Sequence, residues 1–393
     1  MTAAFADLDP EAYPLPQEVD RDVLTPALAI WETHVRHNVD TLVGHLSGDV
    51  DRWRPHVKTT KLPRVWTLLF ERGVRRFKCA TTRELDQLLA SARGAGLGRF
   101  DVLYAMRAVG PAVERIRGLA ASYPEYSVSV LAENARDAVE LPSELGFFLD
   151  LNPGMDRTGS FKTGEEGLFD ALDDAGARFR GLHYYDGHHH ESDRAARRRS
   201  IHAGYDNLLA RIQLAEAHGL EVREVVTSGT PAFLEALAYR GLDDPPKRRH
   251  TLSPGTVVFH DLRSQLETPE LGLRPAALVL TRALSRPTES RVTFDAGSKA
   301  LGADADGTVG EVLGRPTWRL ARPSEEHLPV DVGRADAEGL ELGTLVRVVP
   351  RHVCTTVNLH DEGLFLEAGG RLATVRISAR GHELFPPVTT SFV

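Results

Sequence analysis

Only two cysteines, Cys79 and Cys354, occur in 393 residues. That is too few for a disulfide framework, and it suits the reduced thiols of a cytoplasmic enzyme. No run of eighteen apolar residues is present, so no membrane-spanning helix is expected. Positive charge is in deficit: 47 Lys and Arg face 55 Asp and Glu, a formal net charge of −8. That balance argues against a nucleic-acid partner, which would want a basic face. The first twenty residues lack a basic stretch followed by an apolar one, so they do not read as a secretory signal. They read as an acidic, proline-containing, loose lead-in. What remains, 42% hydrophobic and 26% charged residues, is the make-up of an ordinary globular protein.

Eight short β-like runs alternate with helix-like stretches: 54–58, 76–80, 100–105, 126–131, 146–151, 179–185, 222–228 and 250–259. Pro63 suits a first helical position. Thr81 and Glu84 have capping-box spacing. PAVERIRGLAASY and YDNLLARIQLAEAHG carry apolar residues at a 3.6-residue period. Eight βα units over about 210 residues have the size and rhythm of a (β/α)8 TIM barrel. A doubly wound open sheet is the second choice, but its glycine fingerprint does not follow the first strand. From about residue 272, alternating strand-like runs split by Gly, Pro and Asp predict a mainly antiparallel β domain. The expected organisation is α/β: a lead-in at 1–22, a barrel at 23–271 and a C-terminal β domain at 272–393. The run at 23–32 is extra to the eight and can pair with the β domain. The charged stretches 188–200 and 242–250 read as loops.

Candidate chemistry sits at the ends of these runs. In RPHVKTTK (54–61), Pro55 disfavours helix at Arg54, so the run reads as a strand with Lys58 near its carboxyl end. Catalytic groups of βα barrels project from that end. A lysine there, partly desolvated and beside Arg54 and Lys61, can have its pKa lowered and form a Schiff base. The plainer reading is a surface lysine in a basic patch. Arg157 follows the fifth strand and offers a fork of donors to an anionic oxygen, unless it pairs with Asp150 or Asp156. Tyr185 ends the sixth strand, where a ring can stack on a planar cofactor, and His188, His189 and His190 follow as candidate proton carriers. Ser228-Gly229-Thr230 and Pro254-Gly255-Thr256 end the seventh and eighth runs, where barrels commonly cradle phosphate on backbone N–H groups. His352 and Cys354 form an H-x-C pair. On an extended segment both side chains would share a face, and imidazole plus thiolate suits zinc with open positions. The plainer reading of that pair is a half-buried strand edge.

Together, from TPALAI (25–30) to the end of the chain, these segments resemble the D-serine dehydratase and D-threonine aldolase family of pyridoxal-phosphate enzymes, with the alanine racemase fold. RPHVKTTK is similar to the family signature RPHxKTHK, whose first lysine carries pyridoxal 5'-phosphate; this implies Lys58. MDRTG resembles the motif whose arginine holds the cofactor's phenolic oxygen, implying Arg157. GLHYYDGH implies Tyr185 against the cofactor ring. The segments holding Ser228, Gly229, Thr230, Ser253, Gly255 and Thr256 resemble the phosphate-binding turns. FDAGSKAL resembles DAGxKALS, with Asp295 and Lys299 in structural or supporting places. PRHVCTTVNLHD resembles the dehydratases' PxHxCxTVN motif, implying His352 and Cys354 as ligands of a divalent metal, zinc or else manganese. The aldolases usually carry aspartate as the second ligand. Three departures stand out: Thr60 replaces the signature's histidine, Ser253 stands where relatives often have a larger polar residue, and three consecutive histidines obscure which matches the family's loop histidine.

The resemblance implies a metal-assisted lyase acting on a D-β-hydroxy amino acid. D-Serine dehydratase-type elimination to a keto acid and ammonia is the first expectation. Retro-aldol cleavage with His188 or His190 as base is the second, and an amino-acid racemase the third. Small non-catalytic pyridoxal proteins of this fold lack a β domain and a metal pair, so they fit poorly. A homodimer is expected, with each β domain capping its partner's barrel; the ligand is a small-molecule amino acid, with no nucleic-acid or membrane partner.

Overall fold

The computed structural model describes residues 4–5, 8–160, 178–189, 191, 193–304 and 307–384. These fall in two compact units, one within Met1–Leu42, Thr59–Val65 and Thr256–Arg380, the other within Val43–Lys58, Trp66–Gly255 and Gly381–Val393. The units interleave along the chain.

A first strand, β1 (Ala27–Trp31), precedes the βα repeats. The second unit is built on seven parallel strands: β2 (Arg76–Cys79), β3 (Asp101–Arg107), β4 (Ser127–Ala132), β5 (Gly146–Asp150), β6 (Phe179–Tyr184), β7 (Glu224–Thr227) and β8 (Arg249–Leu252). They pair in sequential order from β2 to β8, which rules out the doubly wound alternative. The expected strand at 54–58 is an irregular stave instead. It touches β8 through the bridge Trp53↔Leu252 and β2 through His56↔Lys78. Pro55 has no N–H to donate, so a regular ladder cannot form there. Arg54 N donates to Leu252 O on one side and Val57 N to Lys78 O on the other. The eight-stave parallel barrel read from the sequence therefore stands, with one stave held by single bridges.

Its interior is layered. Leu103, Leu131, Phe148 and Val226, from four different strands, form one apolar cluster. At one end of the barrel Arg54 is wholly buried and makes a two-pronged pair with Glu224, both contacts 2.9 Å, and a 2.5 Å contact to Asp101. Helices cover the strands as the sequence indicates. Pro63 opens Pro63–Glu71. Thr81 caps Thr82–Gly94 by accepting from Glu84 N, while the Glu84 carboxylate accepts from Ala80 N at 2.7 Å. The stretch 188–200 is not all loop. Asp193 accepts from Ala195 N and Ala196 N, and that cap starts the helix Arg194–Ala217 about three turns earlier than the apolar period suggests.

The first unit holds a nine-stranded sheet containing β1, β9 (Ala277–Thr288), β10 (Arg291–Phe294), β11 (Gly310–Val312), β12 (Arg319–Leu320), β13 (Leu328–Asp331), β14 (Leu345–Pro350), β15 (Glu362–Leu366) and β16 (Leu372–Arg376). Its pairs are antiparallel except β1 with β15. β1 lies between β9 and β15, with Ala29 opposite Leu278 on one side and Leu364 on the other. The lead-in is not loose. Tyr13 is fully buried against Trp31 and His34, and its hydroxyl donates to Pro275 O at 2.9 Å. Asp295 is structural: it accepts from the hydroxyls of Thr25 and Thr281 at 2.5 and 2.6 Å. Lys299 pairs on the surface with Glu325 and Glu326.

Candidate active site

The barrel site is organised round Tyr185, the residue after β6. Two glycines make room for its ring. A Cβ on Gly187 would come within 2.5 Å of the ring carbons, and one on Gly229 within 3.0 Å of the hydroxyl. Three cations converge on this ring: Lys58 Nζ lies 5.8 Å from its centroid, Lys78 Nζ 5.0 Å and Arg157 Cζ 5.0 Å. Arg157 makes no ion pair among the described residues, so the rim salt bridge to Asp150 or Asp156 is not formed. Its loop is shaped by Asn152, whose side-chain oxygen accepts from Gly154 N and Asp156 N. The cations expected beside Lys58 were Arg54 and Lys61. Arg54 is instead committed to Glu224 and Asp101, and Lys61 Nζ donates to Ala379 O within the first unit. Lys78 and Arg157 share the Tyr185 ring with Lys58.

The phosphate-type turns present side-chain hydroxyls as well as backbone amides. Ser228 is in a left-handed conformation (φ 58°) directly after β7, and its backbone N–H favours the charged form of the buried Asp186 carboxylate, against burial. The side-chain oxygens of Ser228, Thr230 and Ser253 are buried without any partner among the described residues. Buried hydroxyls are normally satisfied. Three orphans at the carboxyl ends of adjacent strands form a cradle that fits an anionic oxygen cluster, such as the phosphate of pyridoxal 5'-phosphate. Gly255 has a different reason for being glycine: a Cβ there would lie 2.3 Å from His56 O, so the position lets β8's exit pack on the irregular stave.

Sequence reasoning missed Lys78 and His183. Lys78 Nζ donates to His183 Nε2 at 2.7 Å, and His183 Nδ1 donates to Asp150 Oδ1 at 2.6 Å. All three are buried. Burial first, and then the charge of Lys58, push the Lys78 ammonium down to about 7, against the pull of Asp150. Burial and Lys78 push His183 down to about 4, so its ring is neutral near pH 7. Burial alone would raise Asp150, but His183, Thr158 and Lys78 hold it below its ordinary value. A lysine inside the short buried run RFKC was the available signal. His188 packs on His189 with ring centroids 4.2 Å apart. His190 lies outside the described residues.

In the other unit, His352 and Cys354 do not lie on an extended segment. His352 caps the helix Val353–Leu359 with extended dihedrals, and Cys354 is in its first turn. The two side chains are still hydrogen-bonded to each other. His352 Nδ1 donates to Asp304 at 2.7 Å, and Thr355 also bonds that carboxylate. Burial opposes a charge on His352, but Cys354 and Asp304 raise it to about 9. Burial would raise the thiol, while His352 holds it below its ordinary value. Thr59 and Thr256 bring their hydroxyls within 3.1 and 3.5 Å of Cys354 Sγ, so the Thr256 side chain is turned to sulfur. Among the described residues there is no group of three or more His, Cys, Asp or Glu placed to hold a metal. The donors present are a soft thiol and an imidazole oriented by a carboxylate. That set fits an ion of zinc type with open positions. Cys79, by contrast, is fully buried and unbridged in the barrel.

Comparison with known proteins agrees with this architecture. The family model "Alanine racemase, N-terminal domain" matches residues 30–260, and "Putative serine dehydratase domain" matches 276–366. The chain belongs to the alanine racemase-like family of pyridoxal-phosphate enzymes. It is 28% identical over 347 residues to a D-threonine aldolase of Arthrobacter, covering 84% of this chain and 85% of that protein. It is 25% identical over 391 residues to the 3-hydroxy-D-aspartate aldolase of Paracoccus denitrificans, covering 93% and 95%. The crystal structure of D-threonine aldolase from Filomicrobium marinum superposes with a TM-score of 0.78 at 27% identity, covering 93% and 97%.

Proposed function

We propose that this chain is a pyridoxal-phosphate- and metal-dependent lyase of D-β-hydroxy amino acids. The observation that carries this reading is the convergence in one barrel of Lys58, Arg157 and Tyr185 with three unpartnered hydroxyls at the ends of β7 and β8. Ser228, Thr230 and Ser253 hold the phosphate, with Gly229 and Gly255 leaving room for close approach. Thr256 contributes through its backbone, because its hydroxyl faces Cys354. Tyr185 would support the ring, Arg157 would hold its acidic oxygen, and Lys58 would be the amine that binds covalently. When bound, the cofactor withdraws electrons from the substrate's α-carbon.

His352 and Cys354 would hold the metal, which would supply Lewis-acid polarisation of a β-hydroxyl. Asp304 fixes the imidazole by accepting a hydrogen bond from its Nδ1–H. Lys58 would take the α-proton; loss of the β-hydroxyl as water, followed by hydrolysis, would yield a keto acid and ammonia. The thiol ligand favours this elimination, since the resembling aldolases usually carry aspartate. Retro-aldol cleavage is the second reading, favoured by the two aldolases that align along most of the chain. In it a loop histidine, His188 or His190, accepts the β-hydroxyl proton.

The protein acts as a homodimer in this reading, and a fully active monomer at micromolar concentration would refute that part. Among the described residues no helix is long and apolar enough to cross a membrane. The deciding experiment incubates the holoenzyme with a panel of D- and L-β-hydroxy amino acids and assays ammonia, keto acid and aldehyde. Ammonia with keto acid marks elimination, glycine with aldehyde marks cleavage, and enantiomer exchange alone would return the racemase to first place.

A further inference from the structure

The Asp150–His183–Lys78 chain has no part in the function proposed above. It runs from the end of β5 through β6 to β2 and finishes on the face of Tyr185. Its geometry fixes the tautomer. His183 donates from Nδ1 to the carboxylate, so Nε2 must accept, and Lys78 is the donor it accepts from. A carboxylate behind a neutral imidazole makes Nε2 a better acceptor. The chain therefore holds a lysine amine in a wholly buried place beside two other cations.

Three cations within 6 Å of one ring centroid is a costly arrangement unless something anionic joins them. Asp150 is the one carboxylate bonded into the chain, and it is shared with His183 and Thr158. The charged groups acting on Lys78 are Lys58, Asp150, Arg157 and Arg54, with His183 as its direct partner. Arg54 is already neutralised by Glu224 and Asp101. What is left is an unbalanced trio of Lys58, Lys78 and Arg157 around Tyr185.

We propose that Lys78, held by His183 and Asp150, is an electrostatic positioning residue of the cofactor site, adding a proton-adjustable charge to those of Lys58 and Arg157. This rests on the cofactor reading above. A switchable cation suits such a site better than a second arginine. It can be neutral while the trio is unbalanced and charged when an anion is present. Burial of the amine, which lowers its proton affinity to near neutral pH, makes both states accessible.

The test follows the visible absorbance of the holoenzyme from pH 5 to pH 10. The readout is the midpoint of the spectral change of the Lys58-bound cofactor, independent of turnover. Removing a neighbouring cation favours protonation, so Lys78→Met should move the midpoint up by about one pH unit. Lys78→Arg keeps the charge and should hold the midpoint at or below that of the unaltered protein. His183→Asn should move it in the same direction as Lys78→Met. If Lys78→Met does not accumulate folded, Lys78→Arg and His183→Asn decide the question by the same signs. An intact band with an unmoved midpoint in Lys78→Met, or in His183→Asn should the former not fold, overturns the role of Lys78 alone. A protein with no visible band before any substitution overturns the cofactor reading, and this inference with it.

Discussion

Arg54 and Glu224 meet through two parallel contacts of 2.9 Å, with the guanidinium wholly out of water. Burial works against the charge, but Asp101 and Glu224 hold it firmly protonated. Removing one partner of such a pair strands the other. Arg54→Met should therefore lower unfolding free energy by about 3–5 kcal/mol. Urea titration of the two proteins checks this, and a loss below about 1 kcal/mol would mean that Arg76 and Thr251 suffice for Glu224.

The cofactor's attachment point is open to direct chemistry. Borohydride reduction of the holoenzyme should fix the label on Lys58, read by peptide mass spectrometry. Label on Lys78 would exchange the roles of the two buried-site amines. Label on Lys61 would remove the barrel site from consideration.

The three orphan hydroxyls give a prediction with opposite signs. Ser228→Ala, Thr230→Val and Ser253→Ala should each weaken cofactor retention by roughly 2–10-fold, the equivalent of about 0.5–1.5 kcal/mol per hydrogen bond. The cofactor-free protein should not lose stability, because none of these groups has a partner to lose. Equal destabilisation of both forms would show that the hydroxyls serve packing.

The metal reading predicts about one zinc-like ion per chain, the stoichiometry of an open catalytic site. Chelation and Cys354→Ala should both abolish turnover of β-hydroxy substrates and leave the visible band in place. Cys354→Asp should favour harder ions such as manganese and lose elimination. Protein that contains no metal and is indifferent to chelators would reduce H-x-C to a structural pair.

Acid sensitivity follows from two buried imidazoles. Burial lowers His250 to about 3 and His183 to about 4, while both return to an ordinary value near 6.5 on unfolding. The unfolded chain thus binds more protons below pH 6.5. Stability is full above that value and falls as pH drops, by about 1.4 kcal/mol per pH unit for each histidine. His250→Gln should flatten the slope between pH 6 and pH 4.5 by about one proton, measured from urea midpoints.

The strand ends that carry the candidate site were legible because they are marked by punctuation. Pro63, Thr81 with Glu84, and Gly229 locate those ends well. The H-x-C pair was found for a reason the structure corrects, since proximity comes from a helix cap and not from strand alternation. Arg54 was misjudged because a sequence cannot show that Glu224, 170 positions away, takes its charge. The long-range bond from His183 to Lys78 was hidden for the same reason, though a lysine in a strand as short as RFKC marks an interior that is not wholly apolar.

The position of β1 between β9 and β15 carries a consequence for biosynthesis. The strand leaves the ribosome early, yet its neighbours begin at Ala277 and Glu362. At ordinary translation rates the interval is on the order of tens of seconds. Throughout it, Ala27–Trp31 presents two unpaired edges and an apolar sequence, an invitation to wrong pairing. The barrel strands, adjacent in sequence order, can meanwhile zip as they emerge. The nascent chain is thus expected to need a chaperone's cover for its first strand, and to be most prone to aggregate when truncated anywhere before residue 366.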